Sequence, residues 1–217
     1  MSKNKVSNEM IINKALFSQR FFAFILDVIF VFLIMSIISI PILSTNNNIT
    51  RLNEENRANI EYARSGEMDF QTYISKTIEI NHDLARERGL ITIISILLSI
   101  GYFIIYPFYR NGQTLGKKIL RIQIVSVSEE KKLTMNNFAI RGILINSILL
   151  SMLTFSLALL ASREVYTFGI FIFEGIQILF LLICFIGIAV KIDGRGLHDI
   201  LAGTMVIRKQ ESIKEEK

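Results

Sequence analysis

The chain has 217 residues, 51% of them hydrophobic, with no tryptophan, one cysteine and a formal net charge of +5; its mean hydropathy is +0.46. The single cysteine excludes an intrachain disulfide, and the basic excess lacks the aromatic-interleaved clusters of a nucleic-acid surface. The hydrophobicity lies in four runs, residues 21–43, 90–109, 138–161 and 166–190, each long enough to cross a ~30 Å hydrocarbon core at ~1.5 Å per residue, which excludes an ordinary soluble domain.

Residues 1–20 form a basic arm, with Lys3, Lys5, Lys14 and Arg20 against Glu9. The first run follows. It is too long for a signal-peptide core and no small-residue cleavage site follows it, so it is expected to remain as an anchor. One charge, Asp27, lies inside it, and Arg20 stands at its entrance. The two face the same way on a helix but ~10 Å apart along its axis, too far for direct contact. Arg20 can reach headgroup level by snorkelling. Asp27 is short and deep, and its burial costs a few kcal/mol unless it finds a partner or a proton. Two roles stay open for it: an ion pair that fixes helix packing, or an ion- or proton-binding carboxylate. Arg141, which opens the third run on the same side, is its candidate partner.

Residues 44–89 are polar, with six basic and eight acidic side chains. Helical spacing predicts an amphipathic helix over 69–87, running into the second spanning helix, and a mostly polar one over 51–64. A solvated spacer and a binding cap are equally open roles. The second run carries Thr92, Ser95 and Ser99, and the third Ser147, Ser151 and Thr154; such stripes act as close-packing contacts or, less often, line a path.

The loop 110–137 has six basic and two acidic residues. With the basic arm, it predicts that both termini are cytoplasmic and face anionic lipid headgroups. It opens RNGQTLGKKILRIQIVSV, where Gly112 and Gly116 permit sharp turns, Thr114 and Lys117 lie between or beside them, and 120–127 reads as a strand. The pattern is not a phosphate-binding loop, so no nucleotide is expected. Asn146 in the third run, and Glu174 with Gln177 in the fourth, are further candidate intramembrane polar groups. Cys184 reads as apolar filler.

The C-terminal part reads DGRGLHDILAGTMVIRK. Laid over the earlier loop, Gly112 matches Gly194, Leu115 matches Leu197, and each glycine is followed by an equivalent β-branched pair. Arg20 likewise opens run one as Arg141 opens run three. Chance similarity and a 2+2 repeat of helical hairpins are both open; in the repeat, the two short strands could pair. Asp199 is expected to cap local N–H groups or to pair with Arg20 or Arg195, and His198 adjoins it. Asp193, His198 and Asp199 are too few for a metal site, and no nucleophile–base arrangement appears, so neither a cofactor nor enzymatic activity is expected.

Together RFFAFILD, GQTLGKKILRIQIV and GLHDILAGTMVI resemble the RDD family of prokaryotic membrane proteins. The motifs frame residues 19–207. The resemblance implies that Arg20, Asp27 and Asp199 are the family's named arginine and two aspartates, and that 44–89 is an insertion relative to short members. It implies an all-α polytopic fold with four spanning helices and short cytoplasmic strands: an arm 1–20, a membrane domain 21–207 and a charged tail 208–217 in the cell membrane. Family-level suggestions of cation or proton exchange imply a small-ion or proton-coupled transporter, with a homo-oligomer to enclose a path. The alternative is a non-transporting assembly, immunity or lipid-organising partner.

Overall fold

The computed structural model describes residues 14–128 and 132–209. The basic residues Lys3 and Lys5, and the tail beyond 209, lie outside these. The chain is nearly all helical. Helix α1 spans Phe17–Thr45, α2 Asn47–Arg64, α3 Phe70–Glu87 and α4 Gly89–Tyr109. A short helix α5, Leu115–Ile119, precedes strand β1, Ile122–Ser126. Then follow α6 Met135–Ile145, α7 Ile148–Leu160, α8 Arg163–Val190, the short α9 Leu197–Leu201 and β2 Thr204–Arg208.

Among the described residues, three helices, α1, α4 and α8, are long and apolar enough to cross a membrane, and α6 with α7, bent by 58° at their break, makes a fourth if the pair is one span. Only 11% of the most apolar window of α1 and of α8 is buried within the protein. Side chains such as Phe32 at 65% exposure and Phe171 at 74% are apolar surface of a kind that lipid covers and water does not. The bend divides the third helix, expected as one over 138–161, into two. Ser147 between the halves takes a left-handed φ of 55°, and the Asn146 amide donates back to the Gly142 carbonyl at 3.3 Å. The 3.6-residue pattern reads through this break because both sides of it are equally apolar.

Residues 32–98 and 147–178 form one compact unit, and the remaining described residues form a second. In the first, α2 and α3 make a helical hairpin around Ile49, Leu52, Ile80 and Leu84, with Leu43 packed against them. Asn46 caps α2, accepting from the N–H groups of Asn48 and Ile49, and Asp69 caps α3 through the Thr72 N–H. These caps satisfy backbone donors that the first turn leaves free. The buried face of α3 carries Ile80, His82 and Leu84, whereas Phe70, an apolar residue at the start of the predicted amphipathic helix, is 78% exposed. Arg163 at the start of α8 pairs with Glu79 at 3.0 Å and Asp83 at 3.6 Å.

In the second unit, β1 and β2 pair antiparallel, with Ile124 opposite Val206. Lys14 bridges to Ile207, and Ala15 donates its N–H to the Val206 carbonyl at 3.0 Å. The strand expected over 120–127 is thus shorter, and its pairing with the C-terminal strand is present. The matching of Gly112 with Gly194 extends through this unit at one offset. Both glycines have positive φ, as do Arg121 and Gly203, which precede the strands by one and by one residue. The bounds of α5 and α9, and those of β1 and β2, match at the same offset. Ile124 and Val206 are matched residues and face each other, as a local twofold between the copies requires.

Candidate functional site

Asp27 projects from α1 and is 1% exposed. Its Oδ1 accepts from the Tyr102 hydroxyl at 2.6 Å and the Gly116 N–H at 2.8 Å. Its Oδ2 accepts from the Thr114 hydroxyl at 2.5 Å, and the Lys117 ammonium lies at 3.7 Å. Both oxygens are therefore committed to donors, as a deeply buried carboxylate must be. Arg141 is not among them, which corrects the expected pairing: it lies against Asp199 instead. The i-to-i+7 arithmetic fixes which face Asp27 occupies, but not which distant loop folds onto that face.

Two local features bring those donors together. Residues 101–105 of α4 form a π-turn, an extra residue in the spiral that re-aims the side chains around it, and Tyr102 lies in it. The turn of α5 lies against α1 so closely that a Cβ on Gly116 would sit 2.2 Å from the Ala23 carbonyl oxygen. Gly112, with φ +78°, has the same tightness against β1, where a Cβ would meet the Ile124 carbonyl oxygen at 2.3 Å. The two glycines of G-Q-T-L-G thus serve separate approaches, one to a strand and one to a helix.

Asp199 is fully buried. Arg20 donates to its Oδ2 at 3.1 Å, and Arg141 donates to its Oδ1. Arg141 also reaches the Thr204 hydroxyl at 2.8 Å, and Arg20 the Val206 carbonyl at 2.9 Å. The Gly196 N–H caps onto Asp199 at 3.3 Å, so local capping and the arginine pairing coexist. Arg20 does not snorkel: it is 9% exposed and turned into the protein. Arg195 does not join the group; its guanidinium is 3.7 Å from Asp193. The His198 Nε2 lies 3.5 Å from Asp199. Burial, with Arg141, Arg20 and Lys117 nearby, pushes the His198 imidazole well below its ordinary range. Burial also pushes the Lys117 ammonium down, against the pull of Asp27.

The two motif clusters meet at one cavity of about 70 Å³, lined by Arg20, Asp27, Lys117, Arg141, Asn146 and His198 among apolar side chains such as Phe24 and Phe138. Gln177 is buried, whereas Glu174 is exposed on α8. Tyr102 and Thr204 were not singled out in the sequence, and only a hydroxyl inside an apolar run marks Tyr102. Among the described residues there is no group of three or more His, Cys, Asp or Glu side chains placed to hold a metal ion.

A model of the RDD family matches residues 14–203. No curated protein and no solved structure matches the chain.

Proposed function

The chain belongs to the RDD family, and on that premise we propose that it carries a small ion across the cell membrane, with the polar cavity as the ion's station. The observation that supports this most is the cavity itself, where the Arg20, Asp27, Lys117 and Arg141 side chains and the His198 imidazole converge among apolar side chains. Charged groups at such depth are costly unless they are paired or used. Here Asp27 and Asp199 act as the fixed anchors of the station. Asp27 has donors on both oxygens, so an ion passing the cavity would need to displace one of them to bind it directly. Its role is to hold α5 and the π-turn of α4 against α1 and so to shape the space. No step of this process makes or breaks a covalent bond, and the chain is not an enzyme on this reading.

On this proposal both termini are cytoplasmic, on the side where exposed Lys118 and the rest of the basic loop would meet anionic headgroups, as the density of basic residues supports. Glu174 supports a homo-oligomer: it is exposed near the middle of apolar α8, and a second copy packed there would shield it from lipid. The test is ion flux into vesicles holding the purified chain. No flux of any small ion above protein-free vesicles ends the transport reading.

A second reading has its own support. Arg20, Asp27 and Asp199 all bond to other parts of the same chain, as they would in a non-transporting assembly or lipid-organising protein that uses them only to tie helices together. On that reading, loss of Asp27 lowers folded yield while vesicles of the wild type stay impermeable.

A further inference from the structure

The charges around the cavity do not balance. Arg20, Lys117 and Arg141 line it on the basic side, and Asp27 with the adjoining Asp199 supplies the acidic side, an excess of one positive charge when all five are ionised; Asp193, whose charge also reaches Arg20, is offset by Arg195 at 3.7 Å. An unbalanced charge in a low-dielectric interior is costly, and it is relieved by a counter-charge brought close. The hydrogen bonds point the same way. Arg20 uses both terminal nitrogens, on Asp199 and on the Val206 carbonyl, yet its Nε is buried without a partner. Arg20 is 9% exposed, so water outside the protein does not satisfy this atom. A guanidinium Nε–H is a donor with no acceptor capacity, so the group missing beside it is an acceptor.

The size of the space limits what that acceptor is. A buried water needs roughly 10–15 Å³ measured this way, so a cavity of about 70 Å³ holds a few waters or one small ion with a partial shell. A lipid phosphate with its ester chains, or a nucleotide, does not fit. A dianion would overshoot the single excess charge.

We propose that this cavity binds a small monovalent anion, of halide or nitrate size, between Arg20, Lys117 and Arg141, with the Arg20 Nε–H as its donor. This names the ion for the transport proposed above and rests on that reading for its purpose, while the binding itself is measurable alone. The anion completes the hydrogen bonding of Arg20 and neutralises the excess charge. Asp27 and Asp199 keep the guanidinium and ammonium groups from closing onto it. The selectivity that follows is for anions over cations, the reverse of what a buried carboxylate alone suggests.

The full chain, purified in detergent, is titrated with sodium chloride, bromide or nitrate against sodium gluconate at constant ionic strength, and chloride NMR line broadening is recorded beside the melting temperature. The expected result is a melting temperature that climbs with the logarithm of anion concentration above Kd, by about 5 °C at a hundredfold excess, together with chloride broadening that nitrate competes away. Lys117→Gln is expected to shift the midpoint of that nitrate competition at least about tenfold, because each factor of ten is only ~1.4 kcal/mol of lost attraction. Identical melting curves in all salts, or broadening in the wild type that nitrate does not displace, overturns the proposal. An unchanged midpoint in folded Lys117→Gln overturns it too. Saturable binding by a protein that moves no ion defeats transport but not this site. Flux in a protein that binds no anion defeats this site but not transport.

Discussion

Tyr102 and Asp27, seventy-five positions apart in sequence, are joined by a 2.6 Å hydrogen bond in which the tyrosine hydroxyl donates to a carboxylate that is 1% exposed. The same hydroxyl accepts from the Leu115 N–H at 3.3 Å. One oxygen thus links α1, the π-turn of α4 and the start of α5.

Tyr102→Phe tests that link with little other disturbance. The ring stacks on Tyr106 at 5.9 Å and meets Phe103 edge-on at 5.0 Å, and phenylalanine keeps both contacts. The expected loss is about 1–3 kcal/mol, from a buried acceptor left one donor short, read as a lower melting temperature in detergent. An unchanged melting temperature would show that the hydroxyl is not needed to hold Asp27.

Gly116 is held by space. The Cβ of an alanine there would lie 2.2 Å from the Ala23 backbone oxygen and 2.9 Å from Asp27 Oδ1, and neither can retreat without parting α5 from α1. Gly116→Ala is expected to lose several kcal/mol and to shift most of the protein out of the monodisperse peak in size-exclusion chromatography. Gly175→Ala, in α8 with nothing within 4 Å of its added methyl, is the control and is expected to gain up to about 1 kcal/mol from helix propensity. Equal behaviour of the two variants contradicts the packing described for α5.

Much of this architecture was readable. The spans, the polar hairpin, the two turn motifs and their strands follow from hydrophobic periodicity, glycine placement and β-branched runs. The partners of Asp27 were not. Periodicity tells which way a side chain points on its own helix, whereas Tyr102, Thr114 and Gly116 reach it through folding of distant segments. The exchange of Arg141 from Asp27 to Asp199 has the same cause: the sequence suggests Asp27 as its partner because both open spans on the same side, and only the position of α9 brings Asp199 to it. The bend at Ser147 was hidden because a left-handed serine inside an apolar run carries no compositional mark.

Arg20 and Arg141 share Asp199, so their energies are coupled. Asp199→Asn is expected to cost about 3–5 kcal/mol, since it leaves two buried guanidinium groups short of a counter-charge. Arg141→Met in the Asp199→Asn background is expected to cost less than it does alone, with a coupling energy above about 1 kcal/mol. Additive losses in a melting-temperature cycle would mean that the pair is not energetically joined.

His198 sets the acid side of the pH dependence. Its folded-state value lies well below the ordinary 6.5, so below that pH the unfolded chain binds a proton that the folded chain refuses. Stability is therefore greatest above about 6.5 and falls as pH drops from there toward the folded value. Lys117, also pushed down from 10.5, makes stability climb as pH rises toward that value. His198→Gln is expected to flatten the fall in melting temperature between about pH 6.5 and 5. A slope unchanged by the substitution contradicts a buried neutral imidazole.

The most direct test of the whole account is ion uptake by vesicles containing the purified wild-type chain, driven by a membrane potential and compared with vesicles containing Lys117→Gln. The account predicts small-ion uptake above that of protein-free vesicles, lowered by about tenfold or more in the variant. Uptake no different from protein-free vesicles, in a preparation shown to be folded, contradicts it.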